Sequence, residues 1–414
     1  MKIAIIGAGI SGMSMAHLLK NKADVTVYER DKRPGGMIKC DRVNGHLFHR
    51  TGGHVFNTKN GDVLKFFWSF FNREKEFIKA DRNSGVSLDG GKFVPYPIEN
   101  HIYHFDDDIV NSIINDLLEI KKLDNNSVVN FEEFLIKRFG RTLYEIYFQP
   151  YNEKVWRRDL TKVPLSWLEG KLPMPSVEEI LFNNIKKVEE KKFVHSSFYY
   201  PIKGGSQFVA DRFAEGLNIK YESLIDKIVL LQNKKWKVED DVYDRVIFCG
   251  NIKQLPKLVD GLSSNEAIRM IESLESHGTT SVLCEIDDNP YSWIYLPSRK
   301  HESHRIICSG NFSISNRGSN GKMSGTIEFT DSISHDAIQD NLKRIPWNPH
   351  FLASNYEKYT YPIQDVNTRQ AIKELKASLE PMGIYLCGRF AEWEYYNMDV
   401  CMASAIETSK RIEK

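Results

Sequence analysis

A glycine-rich hexapeptide, Gly7-Ala8-Gly9-Ile10-Ser11-Gly12, is the first stretch of the 414-residue chain whose residue types and spacing point to chemistry. A short apolar strand is expected before it, at Lys2 to Ile6, and a helix after it, from about Ser11 to Lys20. In that setting the glycines permit a tight turn, let a pyrophosphate approach the backbone, and allow helix to pack on strand. The helix N-terminus then offers free N–H groups to the anion. A second strand is expected at Asp24 to Tyr28, and Glu29 follows it, 29 − 9 = 20 residues beyond the middle glycine. A carboxylate at that distance accepts a hydrogen bond from a ribose 2′-OH, which suits an unphosphorylated adenosine ribose. Strand, glycine turn, helix and acid together make a dinucleotide site.

The rest of the chain has to position that site. Lys and Arg total 56 and Asp and Glu 55, a net charge of +1, so nothing pulls the whole molecule towards nucleic acid or an anionic membrane. Hydrophobic residues are 41% and charged residues 27%, values of a globular protein with a large core. No apolar run reaches the roughly 18 residues of a membrane span. The apolar N-terminus has the look of a signal peptide, but its spaced glycines assign it to the nucleotide turn. The six cysteines, Cys40, Cys249, Cys284, Cys308, Cys387 and Cys401, have no metal-ligand spacing. They are expected to be buried free thiols in a reducing cytoplasm, and no metal site is expected.

Periodicity divides the chain further. DIVNSIINDLLEIKK, NFEEFLIKRFG, TLYEIYFQPYN and SVEEILFNNIKKVEEKK carry apolar residues at helical spacing, with Asn130 and Ser176 as N-caps, and predict a helical insertion. KIVLLQ, KWKVED and YDRVIFCG read as strands. VLCEI, WIYLP, RIICSGNF and GTIEFT predict an antiparallel sheet. GIYLCGR predicts a late buried strand, followed by a helix from Asp399 onward. The expected fold class is α/β: a Rossmann-like dinucleotide-binding domain, which the resemblance given next makes FAD-binding, an inserted helical domain and an antiparallel β-sheet domain. The expected boundaries are 1–65, 200–255 and 380–414 for the FAD-binding domain, 101–190 for the helical domain, and 66–100 with 256–379 for the sheet domain.

The identity of the dinucleotide comes from resemblance. Glu29-Arg30, followed by Gly35-Gly36-Met37, resembles the continuation of the FAD site in glutathione-reductase-type and amine-oxidase-type flavoproteins. A more specific resemblance is carried by four ordered segments. Thr51-Gly52-Gly53-His54-Val55-Phe56-Asn57-Thr58, Tyr151-Asn152-Glu153-Lys154-Val155-Trp156 and Tyr200-Pro201-x-x-Gly204-Gly205 come first. Gly388-Arg389-Phe390-x-x-Trp393-x-Tyr395-x-Asn397-Met398-Asp399 is the fourth. Together they resemble the UDP-galactopyranose mutase family from Gly7 to about Ala405, with looser alignment between Pro256 and Pro362.

That resemblance implies an FAD-dependent isomerase that interconverts the pyranose and furanose forms of a nucleotide-sugar. Reduced flavin N5 serves as the nucleophile at the anomeric carbon, and NAD(P)H or another reductant keeps the flavin reduced. Gly7, Gly9, Ser11, Gly12, Glu29, Arg30, Gly36, Met37, Gly53, Gly388 and Arg389 would hold the cofactor. His54 would lie beside its reactive edge, with Asn397 and Met398 at the pyrimidine end. Arg305, Tyr361 and Tyr395 would bind the leaving diphosphate, which needs cations and hydroxyl donors in an otherwise neutral protein. Trp156 either packs on the sugar or flavin edge or is a core tryptophan. The resemblance further implies a cytoplasmic protein, a homodimer, and a product that feeds cell-surface polysaccharide.

Two departures from the family pattern bear on the substrate. Tyr199 stands where one branch carries an arginine, two residues before its proline, and is carried as a substrate residue; no second diphosphate arginine can be placed, as GTIEFTDSISHD has none. Fewer cations leave the sugar and base open, with a deoxythymidine-linked donor among the choices. A rival reading, an amine-oxidase- or protoporphyrinogen-oxidase-like oxidoreductase, shares Gly7, Gly9, Gly12, Glu29 and Gly35-Gly36 but not the other segments. A third, a flavin-binding protein without catalysis, would follow from the missing arginines. The aromatic stretch Phe66 to Phe71 reads as core or domain interface.

Overall fold

A computed structural model describes residues 1–122, 128–165, 175–188, 197–259 and 265–412. The opening β-α-β forms as the glycine pattern requires: strand Lys2–Ile6, helix Ile10–Leu19, strand Asp24–Tyr28. The two strands pair in parallel and become the centre of a five-stranded sheet. Its order is Ile384–Leu386, Arg245–Phe248, Lys2–Ile6, Asp24–Tyr28, Ile219–Lys220, and every pairing is parallel. Near-continuous apolar runs such as IAII and VIF are what a sheet buried on both faces needs. One face packs on helices Ile10–Leu19 and Met398–Ile412. The other packs on helix Thr368–Leu379 and a small antiparallel meander of Ile228–Leu230, Trp236–Val238 and Asp241–Tyr243.

The helical insertion contains Asp107–Lys122, Phe131–Phe139, Gln149–Trp156 and Val177–Ile185. Both expected caps form. The Asn130 side chain accepts from Glu133 N–H, and Ser176 makes a reciprocal capping box with Glu179. The last helix is shorter than its apolar spacing suggests. It ends at Ile185, and Lys187 takes a left-handed conformation (φ 48°); positions 189–192 of the expected helix lie outside the described residues.

A seven-stranded sheet runs His350–Ile363, Glu275–Ile286, Met323–Thr330, Arg305–Ile307, Trp293–Tyr295, Ser84–Ser87, Phe93–Pro95. It is antiparallel as expected except at one seam, where Trp293–Tyr295 pairs in parallel with Ser84–Ser87. No hairpin constrains that seam, because the two strands lie some 200 residues apart in the chain. Strand Met323–Thr330 is buried along its whole length, yet Ser324, Thr326, Glu328 and Thr330 alternate with apolar residues. The odd face, Met323, Ile327 and Phe329, builds the sheet's own core. The even face is polar and turns towards the site.

The aromatic stretch is core, as its composition suggests. Phe67 stacks on Phe56 with 3.7 Å between ring centroids, and Phe70 stacks on Phe213 at 4.4 Å. Among the described residues no helix is long and apolar enough to cross a membrane.

Candidate active site

The dinucleotide end is a cradle made by three separated segments. Gly7 has φ 106° and Gly36 φ 53°, backbone that only glycine adopts without strain. A Cβ on Gly36 would stand 3.3 Å from the Cα of Gly9, so the two loops nearly touch. Gly388 (φ 101°) leans on Ser11, whose hydroxyl a Cβ there would strike. A β-carbon on Gly12 would run into the carbonyl oxygen of Gly7. Glu29 is buried at the end of its strand. Its Oε2 accepts from Ala8 N–H at 2.8 Å and its Oε1 from Asp31 N–H at 3.0 Å. The acid is thereby fastened to the glycine loop it serves. Arg30 points to solvent, and Met37 lies half-buried in the 3₁₀ turn Gly36–Ile38.

From this cradle the chain Thr51-Gly52-Gly53 leads to His54. The imidazole lies against the backbone at Thr51 and Met37, and its Nε2 is buried without a partner. Burial, then the nearby Arg389 charge, lowers its pKa to about 4. His54 is therefore neutral near pH 7, with an unused nitrogen. Nearby His49 is fully buried, bonded through Nε2 to Tyr200 Oη at 2.7 Å, and lowered to about 3 by burial. Both imidazoles must be protonated in the unfolded chain before the folded one. Fewer protons are bound by the folded state below pH 6.5, so stability is lost as pH falls from about 6.5 towards 4 and 3. We expect Tm to decline across that window, and His49→Gln to flatten the decline; a Tm independent of pH there would contradict it.

Arg305, Tyr361, Tyr395 and Arg389, drawn from three regions of the sequence, meet in one cluster. Arg305 Nη2 donates to Tyr361 Oη at 3.2 Å. Tyr361 and Tyr395 stack with 5.2 Å between centroids and 11° between planes. The Arg389 guanidinium lies 4.1 Å over the Tyr395 ring and 5.5 Å over Tyr361. Its Nη atoms donate to the carbonyls of Tyr396 and Thr360, while its Nε is buried without a partner. Trp393 locks this loop in place: its indole N–H donates to Ile363 O at 2.9 Å, and its own carbonyl accepts from Gln364 at 3.1 Å.

Several residues that motif reading passed over complete the cluster. Glu328, 1% exposed, pairs with Arg305 Nε across the strands, where the two are in register. Burial alone would raise its carboxyl, but Arg305 and His304 outweigh that and hold it at about 2. Tyr151, from the YNEKVW segment, sits beside Arg305, with its ring 5.5 Å from Tyr295. Tyr295 Oη accepts from Arg82 at 2.6 Å, and Arg82 also lies over Tyr96 and Trp293. Lys154 donates to the carbonyls of Leu296 and Ser303 at 2.8 and 2.9 Å, which ties the helical insertion to the sheet. The signal for Glu328 was its place in the period-2 polar face of a buried strand. Arg82 had none, being brought in by the parallel seam.

Two expected substrate residues lie elsewhere. Trp156, 5% exposed, packs edge-on to Phe131 in the helical core, and its carbonyl reaches the sheet at His277. Of the two readings left open for it, the structure places it as a core tryptophan. Tyr199 faces Trp68 and Arg73, because alternation along Ser197–Pro201 sends Tyr200 inward to His49 and Tyr199 to the other side. Asn397 is exposed, with its carbonyl accepting the first helical bond from Cys401 N–H. Met398 buries its side chain in the core, leaving the helix-start backbone for any ligand.

Comparisons with known proteins bear on the fold and on the family the chain is similar to. Residues 5–70 match the family of NAD(P)-binding Rossmann-like domains. The chain is 21% identical to the UDP-galactopyranose mutase of Mycoplasma genitalium, over 99% of this chain and 94% of that protein. It is 23% identical to the dTDP-fucopyranose mutase of Escherichia coli, over 99% and 97%. A crystal structure of reduced UDP-galactopyranose mutase superposes with a TM-score of 0.87, covering 100% of this chain and 93% of that one at 21% identity. The fold is thus that of the mutase structure, and the resemblance in the sequence motifs extends end to end.

Proposed function

We propose that the protein is a flavin-dependent nucleotide-sugar mutase, interconverting pyranose and furanose forms of a sugar joined to a nucleoside diphosphate. The observation that carries the reading is the Arg305–Tyr361–Tyr395–Arg389 cluster, standing between a glycine cradle and a neutral histidine. The cradle fits FAD. Gly9, Gly36 and Gly388 leave room where side chains would intrude, and Glu29 stands at the ribose position. His54 Nε2 and Arg389 Nε are buried polar atoms awaiting a partner. Reduced flavin would supply the nucleophile for the anomeric carbon.

The chain's own residues do the rest. Glu328 holds Arg305 by Nε, which leaves the outer edge of the guanidinium and the Tyr361 hydroxyl to receive the diphosphate as it departs. Arg389 adds a second charge fixed by two carbonyls, so no reorganisation is needed when negative charge develops. Arg82, on Tyr295, adds a third guanidinium along the same wall. His54, neutral, can make one hydrogen bond at Nε2 without placing a charge beside the flavin. Tyr96, Tyr147, Tyr151 and Tyr295 pack ring against ring beside Arg305 and Arg82, an apolar flank that would keep bulk water from the reacting groups.

Anaerobic, dithionite-reduced protein incubated with UDP-galactopyranose or dTDP-fucopyranose should yield the corresponding furanose, separated by chromatography. Oxygen consumption by the oxidised protein with an amine or porphyrinogen, and no furanose from either donor, would overturn the reading in favour of an oxidase.

A further inference from the structure

Three of the six cysteines gather beneath the glycine cradle. Strands Arg245–Phe248 and Ile384–Leu386 are parallel neighbours, with Phe248 opposite Leu386. Cys249 and Cys387 are the next residue on each, and Cys387 N–H continues the ladder to Phe248 O at 3.1 Å. Residues opposite one another on paired strands point to the same side, with backbones about 4.7–4.9 Å apart. That spacing lies inside the roughly 4.4–6.8 Å Cα separation a disulfide spans. The Cys387 thiol is close enough to Cys249 to act on its ionisation, and the Cys387 Sγ lies 3.6 Å from Ser404 Oγ. Cys401, on the first turn of the C-terminal helix, lies near Cys387 and Ser11.

Access distinguishes the members. Cys249 is the half-buried one; the other five cysteines are buried. It is also the one directly under the phosphate turn, since a Cβ on Gly7 would meet the Cys249 Cβ at 3.8 Å. Ligands of open parallel sheets lie over the carboxyl ends of the strands, which is where Cys249 and Cys387 stand.

We propose that Cys249 and Cys387 form an oxidisable thiol pair at the floor of the dinucleotide cleft, converted to a disulfide by a peroxide and shielded by bound FAD. The balance is two thiols plus hydrogen peroxide giving one disulfide and two waters. The Cys249 thiolate attacks one peroxide oxygen and becomes a sulfenic acid as hydroxide leaves. The Cys387 sulfur then displaces the hydroxyl, forming the S–S bond, and its proton goes with the departing oxygen as water. The neighbouring Cys387 thiol, burial, and the Glu392 and Cys401 groups facing Cys249 all push its thiol up, so oxidation is slow at neutral pH and faster in alkali.

The test is peroxide oxidation of the purified flavoprotein at mildly alkaline pH, with and without excess FAD, followed by non-reducing digestion and mass spectrometry. The expected product is a Cys249–Cys387 linked peptide and a loss of two hydrogens per chain, absent in Cys249→Ala and in Cys387→Ser. FAD at ten times its Kd should slow the reaction about tenfold. A Cys249 sulfinic acid with no linked peptide, a link from Cys249 to Cys401, or equal rates with and without FAD would each overturn the proposal. None of these readouts involves sugar turnover, so the result stands apart from the mutase reading.

Discussion

Replacing Arg305 by lysine should cost roughly 10²–10³ in turnover while the protein stays yellow, the size of effect seen when one preorganised charge donor is removed. The reason is geometric. Arg305 is gripped at Nε by Glu328 and touches Tyr361 through Nη2, so one planar group spans a buried anion and the cleft. A lysine presents a point charge and cannot do both. Arg305→Ala should behave worse, for a different reason. It leaves the buried Glu328 with His304, 3.6 Å away, in place of its guanidinium partner, a loss of up to about 3–5 kcal/mol in stability. Adding Glu328→Gln to Arg305→Ala should then restore much of the lost Tm but none of the turnover. Melting curves and furanose yield measured on the three variants separate the two roles. Full turnover in Arg305→Lys would remove this arginine from the leaving-group site.

Gly9→Ala and Gly12→Val should fail in opposite ways. At Gly9 the backbone is extended (φ −77°) and an added Cβ meets only the Gly36 Cα at 4.0 Å, so the apoprotein has room for it. The methyl would occupy the space a pyrophosphate needs. A folded protein with near wild-type Tm and at least tenfold weaker FAD binding, about 1.4 kcal/mol, is expected. At Gly12 the new side chain drives into the Gly7 carbonyl, a backbone atom that cannot rotate away. The cost should exceed the roughly 1–3 kcal/mol of ordinary overpacking, giving insoluble or poorly folded chain. Flavin retention on gel filtration and circular dichroism distinguish the outcomes. A Gly9→Ala protein that keeps its flavin would show that the cofactor does not approach this turn.

Much of this site was legible before any coordinates. The glycine turn, Glu29 and the two caps follow from local rules, because each is decided within a few residues. Arg305, Tyr361 and Tyr395 were legible only through resemblance, since nothing local says that a strand residue and a loop residue about 90 positions on will meet. Tyr199 shows the limit of that route. A motif fixes its position in the chain, but strand alternation decides which side it faces, and here it faces Trp68. Glu328 was hidden for the opposite reason. It sits in no motif; the polar alternation of its strand marks the face it lies on, and the register Arg305↔Glu328 supplies its partner. Arg82 depends on a pairing between strands far apart in sequence, which periodicity cannot forecast.

The end of strand His350–Ile363 is stitched to the 389–396 loop by main-chain carbonyls: Thr360 to Arg389, Ile363 to Trp393, and Trp393 back to Gln364. With the Tyr361–Tyr395 stack beside them, they seal the seam where the two β layers abut. No ligand threads that seam without unpicking buried bonds. On the proposed mutase reading, that stitching makes Arg305 and Arg389 a pre-set clamp: one is tied to Tyr361 and the other to Thr360, so their spacing is fixed before any donor arrives.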